Sequence, residues 1–249
     1  MIFTIEGFLG SAIILYIFEY IFNYFAKKKH PIIISIDGNI GSGKSTLVKI
    51  LNLLYDNIEY VKEPVDDWTQ IKDSNGKNIL DKFYSQRERW AYTFQNMAYI
   101  TRTINIVDGF KNAINKNKKY VITERCTETD KNVFAKMLYE QDKSISDLEY
   151  DIYNLWCNRM DYKVKNIIYL RTTPEKSFER IKKRSRNEES TITLDYIKKI
   201  HQYHEKWLNN SKATKYNVCI IDVTEEFENN IKRRNEIVKT IIKFINNCD

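Results

Sequence analysis

The sequence predicts an α/β fold, a five-stranded parallel sheet flanked by helices, and three observations carry that expectation. Five short apolar, β-branched runs at 32–36, 58–62, 119–123, 166–170 and 217–221 alternate with helical patterns, as in a βαβ series. A glycine-rich loop of fixed spacing stands between the first run and a helix-forming stretch. Acidic residues follow the second and third runs at Glu63-Pro64 and Glu124-Arg125, at the strand ends where open α/β sheets bind ligands.

The chain has 249 residues, enough for one large α/β domain, and its 43% hydrophobic content excludes a disordered chain. Seven glycines and three prolines are too few for a loop-rich or repetitive architecture. The +7 formal charge suits phosphorylated or anionic partners, but acidic residues interleave with most of the basic ones, so no nucleic-acid partner is expected. Cys126, Cys157, Cys219 and Cys248 form no CxxC pair, which fits free thiols in a reducing compartment. His201 and His204 lack a third ligand at metal spacing and read as packing or surface residues.

Residues 1–29 differ from the rest. From Gly7 to Ala26 the chain is apolar except for Ser11, Glu19 and Asn23, and Lys27, Lys28 and Lys29 follow. Twenty residues are long enough to cross a hydrocarbon core, while the twelve before Glu19 also fit an interfacial or core helix. Neither a cleaved signal nor a mitochondrial presequence fits, because Glu6 precedes the run and no arginine occurs in it. The expectation is an N-terminal hydrophobic helix over 7–26 that associates with membrane, leaving a domain over 30–249 in the cytosol.

The first strand, IIISI, leads into Gly38-Asn39-Ile40-Gly41-Ser42-Gly43-Lys44-Ser45-Thr46, a GxxxxGK[ST] phosphate loop. The glycines let successive backbone N–H groups point at phosphate oxygens, and the following helix adds its positive N-terminus. Lys44 neutralises the β/γ oxygens and Ser45 offers a hydroxyl to Mg²⁺. The strands over 58–62 and 119–123 then bring Glu63 and Glu124 to the same crevice, together with Asp37. Phosphoryl transfer needs one carboxylate to take the proton of the attacking hydroxyl and one to help hold the metal; Glu63 is assigned the first role and Glu124 the second, with Arg125 steadying the base.

A long helix predicted to begin near Lys82 carries Ala91, Gln95, Ala98 and Arg102 at i, i+4, i+7 and i+11. Small and long polar residues alternate on that face, leaving room for a planar ligand and supplying donors to it. Further on, Pro174 opens a helix with Arg180 and Arg184 four apart, and Arg186 begins the loop RNEES. Planar guanidinium groups at that spacing suit an arginine-rich lid over ATP.

Five blocks, GNIGSGKST, EPVDDW, ERWAYTFQ, ERCTETD and RSRNEE, stand in an order that resembles the deoxyribonucleoside kinase family over residues 32–245, closest to its deoxycytidine and deoxyguanosine kinase branch. The resemblance implies ATP with Mg²⁺ as donor, a deoxyribonucleoside phosphorylated at its 5′-hydroxyl for nucleotide salvage, and a homodimer. It implies Glu63 as general base with Arg125 beside the 5′-hydroxyl, Trp68 lining the nucleoside pocket, and Tyr84 with Glu189 on the 3′-hydroxyl. Gln95 is implied on the base edge, with Phe94 and Phe134 as apolar neighbours. Ala98, Arg102 and Asp130 fall where thymidine-directed members carry larger or apolar residues, so deoxycytidine or a purine deoxynucleoside is expected over thymidine. Cys126 departs from the serine usual after Glu-Arg, and DVTEEF over 222–227 resembles the adenine-side loop. A thymidylate kinase would need further basic residues for a monophosphate, and a GTPase would need an NKxD run that Asn115-Lys116-Asn117-Lys118 does not supply. An inactive P-loop protein is disfavoured because every catalytic position is filled.

Overall fold

The computed structural model describes residues 30–160, 164–209 and 215–248. The expected N-terminal helix over 7–26 lies outside them. Among the described residues no helix is long and apolar enough to cross a membrane.

Five strands form one parallel sheet: β1 (Ile32–Gly38), β2 (Ile58–Val61), β3 (Tyr120–Glu124), β4 (Asn166–Arg171) and β5 (Asn217–Asp222), in the order β2-β3-β1-β4-β5. All five predicted strands are present, with ends shifted by one or two residues. The helices are α1 (Lys44–Leu54), α2 (Val65–Gln70), α3 (Ile79–Ser85), α4 (Arg87–Asn115), α5 (residues 127–140, with a π-helical stretch Asp130–Ala135), α6 (Asp147–Arg159), α7 (Pro174–Arg184), α8 (Leu194–His204, continued by a π-helical turn Glu205–Asn209) and α9 (Ile231–Asn246).

The period-2 alternation of buried strands divides the core into two layers. Ile34, Ile36, Ile122, Ile168 and Leu170 face α1 and α9. Ile167 and Tyr169 face the opposite layer, which gathers α3, α4, α5 and α8. The same alternation corrects the place expected for Asp37. It is wholly buried on the second face, accepting from Ser35 and Thr129 and contacted by Cys126 Sγ at 3.7 Å, and does not line the crevice.

A second correction concerns the long helix. It starts at Arg87, because Gln86 leaves helical geometry, and Lys82 and Tyr84 belong to the separate α3. Asn78 caps α3 with a reciprocal capping box through Asp81, a local signal that starts a new helix. Gly109 lets α4 lie close against β2: an added Cβ would sit 2.2 Å from Val61 Cγ2.

Candidate active site

β1, β3 and β2 are neighbours, so the turns leaving their carboxyl ends meet over one cavity of about 770 Å³, within the size range of small-molecule sites. The phosphate loop leaves β1. Gly38, Gly41 and Gly43 hold positive φ of 146°, 78° and 95°, and Gly41 packs so closely under α7 that a Cβ would lie 2.5 Å from Ser177 O. Asn39 fastens the loop from below, its Oδ1 accepting from Ile40 N and its Nδ2 donating to Ile197 O. Lys44 folds back over the loop and donates to Asn39 O at 2.7 Å and Gly38 O at 3.2 Å. Burial, with Arg125 nearby, lowers its ammonium to a pKa of about 7.

β2 ends at Val61, and Glu63 follows at the cavity's neck. Its two oxygens accept from Arg125 Nη1 at 2.7 Å each, and Oε1 also accepts from Arg102 Nη2 at 2.9 Å. Burial alone would raise the Glu63 carboxyl, but Arg125, Arg102 and Lys44 outweigh it and hold its pKa at about 2. Arg125 adopts φ 63°, a left-handed conformation that a long side chain takes at a cost and that here turns its guanidinium back across the strand ends. β3 delivers Glu124, whose Oε1 accepts from Ser45 Oγ at 2.7 Å. A serine hydroxyl and a carboxylate oxygen at the head of the phosphate loop are hard oxygen donors of the kind Mg²⁺ takes alongside waters and phosphates, so these two residues fit that ion.

Beyond Glu63 the cavity becomes apolar and aromatic. Trp68 meets Phe94 edge-on at 5.3 Å and donates through Nε1 to Thr101 Oγ1 at 3.0 Å. Phe134 lies under the Arg125 guanidinium at 5.1 Å. On α4, Ala91, Gln95, Ala98 and Arg102 are all buried on one face, as their spacing predicts. Gln95 Oε1 lines the cavity and, among the described residues, is buried without a hydrogen-bond partner. Arg102 is the junction of the site. Its Nε donates to Asp130 Oδ2 at 2.8 Å, Nη2 to Asp130 Oδ1 at 3.3 Å and to Glu63, and Nη1 to Glu124 O at 3.1 Å. Asp130 arrives on the π-helical stretch of α5, whose widened turn follows Cys126 at the helix N-cap.

The arginines of α7 divide. Arg184 Nη2 pairs with both oxygens of Glu189 at 2.6 Å, and Arg186 Nη1 stands 3.6 Å from the same carboxylate. Tyr84 lines the cavity with Glu189, and burial beside Tyr196 and Glu189 raises its hydroxyl well above the usual range, so it stays protonated. Arg180 turns the other way, giving Nη2 to the carbonyls of Val223, Thr224 and Glu225. It therefore fastens the loop after β5 while lining the cavity. Phe227 from that loop packs over Gly43, where a Cβ would approach its ring at 3.0 Å.

Every residue singled out for the phosphate loop except Gly38, Asn39 and Ser42 lines this cavity, as do all those expected around the nucleoside. Gly38 and Ser42 form the loop's buried floor, where an added Gly38 Cβ would lie 2.7 Å from Ser42 Oγ. Sequence reasoning missed the Arg102–Glu63 contact, since spacing along α4 marks the face Arg102 occupies but not what stands opposite. It also missed Lys49, Lys62 and Lys183, which line the cavity. Neighbouring lysines on a basic helix carry no sequence signal that sets Lys183 apart from Lys182. The packing reading of His204 holds: it is fully buried, stacked on Tyr169 at 5.7 Å.

A family model described as Deoxynucleoside kinase matches residues 34–246. A probable deoxycytidine kinase of fowlpox virus is 40% identical over 85% of this chain and 87% of its own length. The human deoxycytidine kinase is 34% identical over 84% of this chain and 90% of its own, and the mitochondrial deoxyguanosine kinase of Xenopus laevis 31% over 85% and 89%.

Proposed function

The chain belongs to the deoxynucleoside kinase family, in the branch of the deoxycytidine and deoxyguanosine kinases, and from that premise we propose that it moves the γ-phosphoryl group of ATP to the 5′-hydroxyl of a deoxynucleoside in nucleotide salvage. The observation that carries this reading is Glu63, ionised and clamped between Arg125 and Arg102 where the phosphate loop meets the aromatic pocket. A nucleoside in the pocket presents its 5′-hydroxyl to Glu63 across the neck from Lys44. Glu63 takes the proton as the O–P bond forms, and the two guanidinium groups keep the carboxylate aimed and stabilise charge on the transferring group. Arg125 and Arg102 hold its carboxyl below the usual carboxylate range, so it enters the reaction ionised and able to accept that proton. Ser45 and Glu124 would hold Mg²⁺, which would supply charge neutralisation on the phosphates.

The nucleobase lies among Trp68, Phe94 and Phe134, with Gln95 Oε1 supplying an acceptor and Arg102 with Asp130 the polar edge. A base with an exocyclic amino group makes use of that charged pair, whereas a thymine methyl presses on it without return. Leu148, Ile152, Leu155 and Trp156 on α6 are exposed at i, i+4, i+7 and i+8, and Ile100 and Ile104 are exposed on α4. That apolar pattern supports a homodimer through these helices. Residues 1–29 are assigned, on sequence pattern alone, as a membrane-associating extension of a cytosolic kinase domain over 30–249.

The test is kcat/KM for all four deoxynucleosides with ATP-Mg²⁺, in the wild type and in Arg102→Met combined with Asp130→Ala. The wild type is expected to favour deoxycytidine or a purine deoxynucleoside over thymidine, and the double variant to raise relative thymidine activity. Because Arg102 also holds Glu63, the absolute rate should fall as well. A wild type that prefers thymidine overturns the specificity reading, and one that phosphorylates no deoxynucleoside overturns the function.

A further inference from the structure

The hydrogen bond between Asn78 and Glu188 serves neither the phosphate loop nor the pocket wall. Asn78 Oδ1 caps α3, accepting from Leu80 N and Asp81 N at 3.0 Å each, while its backbone N–H donates to Asp81 Oδ2 at 3.1 Å. Its backbone also makes an antiparallel bridge to Lys72, and the residue is 5% exposed. The amide nitrogen has no part in the cap, and it donates to Glu188 Oε1 at 3.1 Å. Glu188 stands on the 3₁₀ turn Asn187–Glu189 that follows α7. Its neighbour Glu189 takes Arg184 on both oxygens. Two adjacent carboxylates thus tie one short turn to two helices: α3, which carries Tyr84, and α7, which carries Arg180 and Arg184.

We propose that the Asn78–Glu188 bond is the latch through which nucleoside in the pocket and nucleotide under the arginine turn strengthen each other's binding, with Asn78 as its positioning residue. The inference rests on the kinase reading above. α3 has seven residues, too few to hold a helix without its cap and its packing. A nucleoside on Tyr84 immobilises α3 and with it the Asn78 amide. Glu188 then docks on a donor whose ordering has already been met, so the arginine turn closes over phosphates at a smaller entropic cost. The coupling is reciprocal: phosphates that engage Arg184 and Arg186 hold the turn and return Glu188 to Asn78. One oxygen of the bond is charged, which makes it stronger than a neutral pair.

The full chain is titrated with a non-hydrolysable ATP analogue and Mg²⁺, with and without saturating deoxycytidine, by calorimetry. The wild type should bind the analogue more tightly when deoxycytidine is present. Asn78→Asp keeps a capping oxygen, removes the donor and sets two carboxylates face to face; it should cut the ratio of the two dissociation constants by about threefold to tenfold. Adding Glu188→Gln to Asn78→Asp reverses the direction of the bond, with the glutamine amide now donating, and should restore the ratio. Glu188→Ala leaves the cap intact and should lower the ratio as Asn78→Asp does, so the proposal stays exposed even if Asn78→Asp folds poorly. A wild-type ratio near one, an undiminished ratio in Glu188→Ala, or failure of the paired variant to restore coupling while it binds each ligand alone normally overturns the latch. Phosphorylation of deoxycytidine by the wild type, measured in parallel, separates failure of the latch from failure of the kinase reading.

Discussion

From Gly38 to Thr46 nine consecutive residues make the donor side, and most of what they offer is backbone N–H groups set by three glycines of positive φ. The acceptor side takes Trp68 from α2, Tyr84 from α3, Gln95 and Arg102 from α4, and Asp130 from α5. Its order comes from side chains, with Arg102 bonded at once to Glu63, Asp130 and the Glu124 carbonyl. A backbone cradle tolerates loss of one side chain with its shape intact, so changes there act on charge. A side-chain junction transmits the loss of any member to the rest, because the partners left behind are buried.

The largest break in that contrast is Glu63→Gln. The amide keeps the size of the carboxylate but accepts no proton and takes away the ion-pair partner of Arg125, while Arg102 keeps Asp130. Loss of a positioned base is expected to lower kcat by about 10²–10⁴-fold, with nucleoside binding retained by equilibrium titration. Turnover near the wild-type rate removes Glu63 from the role of base.

Gly109→Ala sharpens the contrast from a distance. The new Cβ meets Val61, whose branched side chain is stiff, so α4 must shift from β2. The expected cost is about 1–3 kcal/mol of stability in denaturant titration, with a raised KM for the nucleoside and an unchanged KM for ATP. A KM change confined to ATP would mean that α4 does not set the acceptor pocket.

The smallest effect belongs to the donor side and is one of charge alone. Lys44 in the free protein titrates near 7, below its usual value, so above that pH it is mostly neutral. Phosphate oxygens favour the ammonium and raise its pKa. Nucleotide binding at pH 8 should therefore take up close to one proton, and at pH 6 almost none. Binding enthalpies compared across buffers of different ionisation heat read this directly. The same proton count at both pH values would show that Lys44 is already charged in the free protein.

Short-range regularities in the sequence were enough for much of this protein. The five strands, the phosphate loop and the buried stripe Ala91-Gln95-Ala98-Arg102 are written in contiguous residues or in a fixed period, since local backbone geometry makes such patterns. The start of α3 was legible too, in the Asn78 and Asp81 capping box, but the break at Gln86 carries no such signal, because α4 begins without a side-chain cap. The strand order is not local. It was decided by which crossovers pack, and it is what sets β2 and β3 beside β1 so that Glu63, Glu124 and the loop share a cavity. The targets of charged side chains were decided there as well. Arg180 and Arg184 are four residues apart on one helix, yet one bonds loop carbonyls and the other Glu189, because a guanidinium on a long flexible stem takes the buried acceptor its surroundings present. Asp37 went under the sheet because side-chain alternation in β1 points it away from the crevice, to where Ser35 of the same strand receives it together with the Thr129 hydroxyl and Cys126 thiol that the packing of α5 brings there.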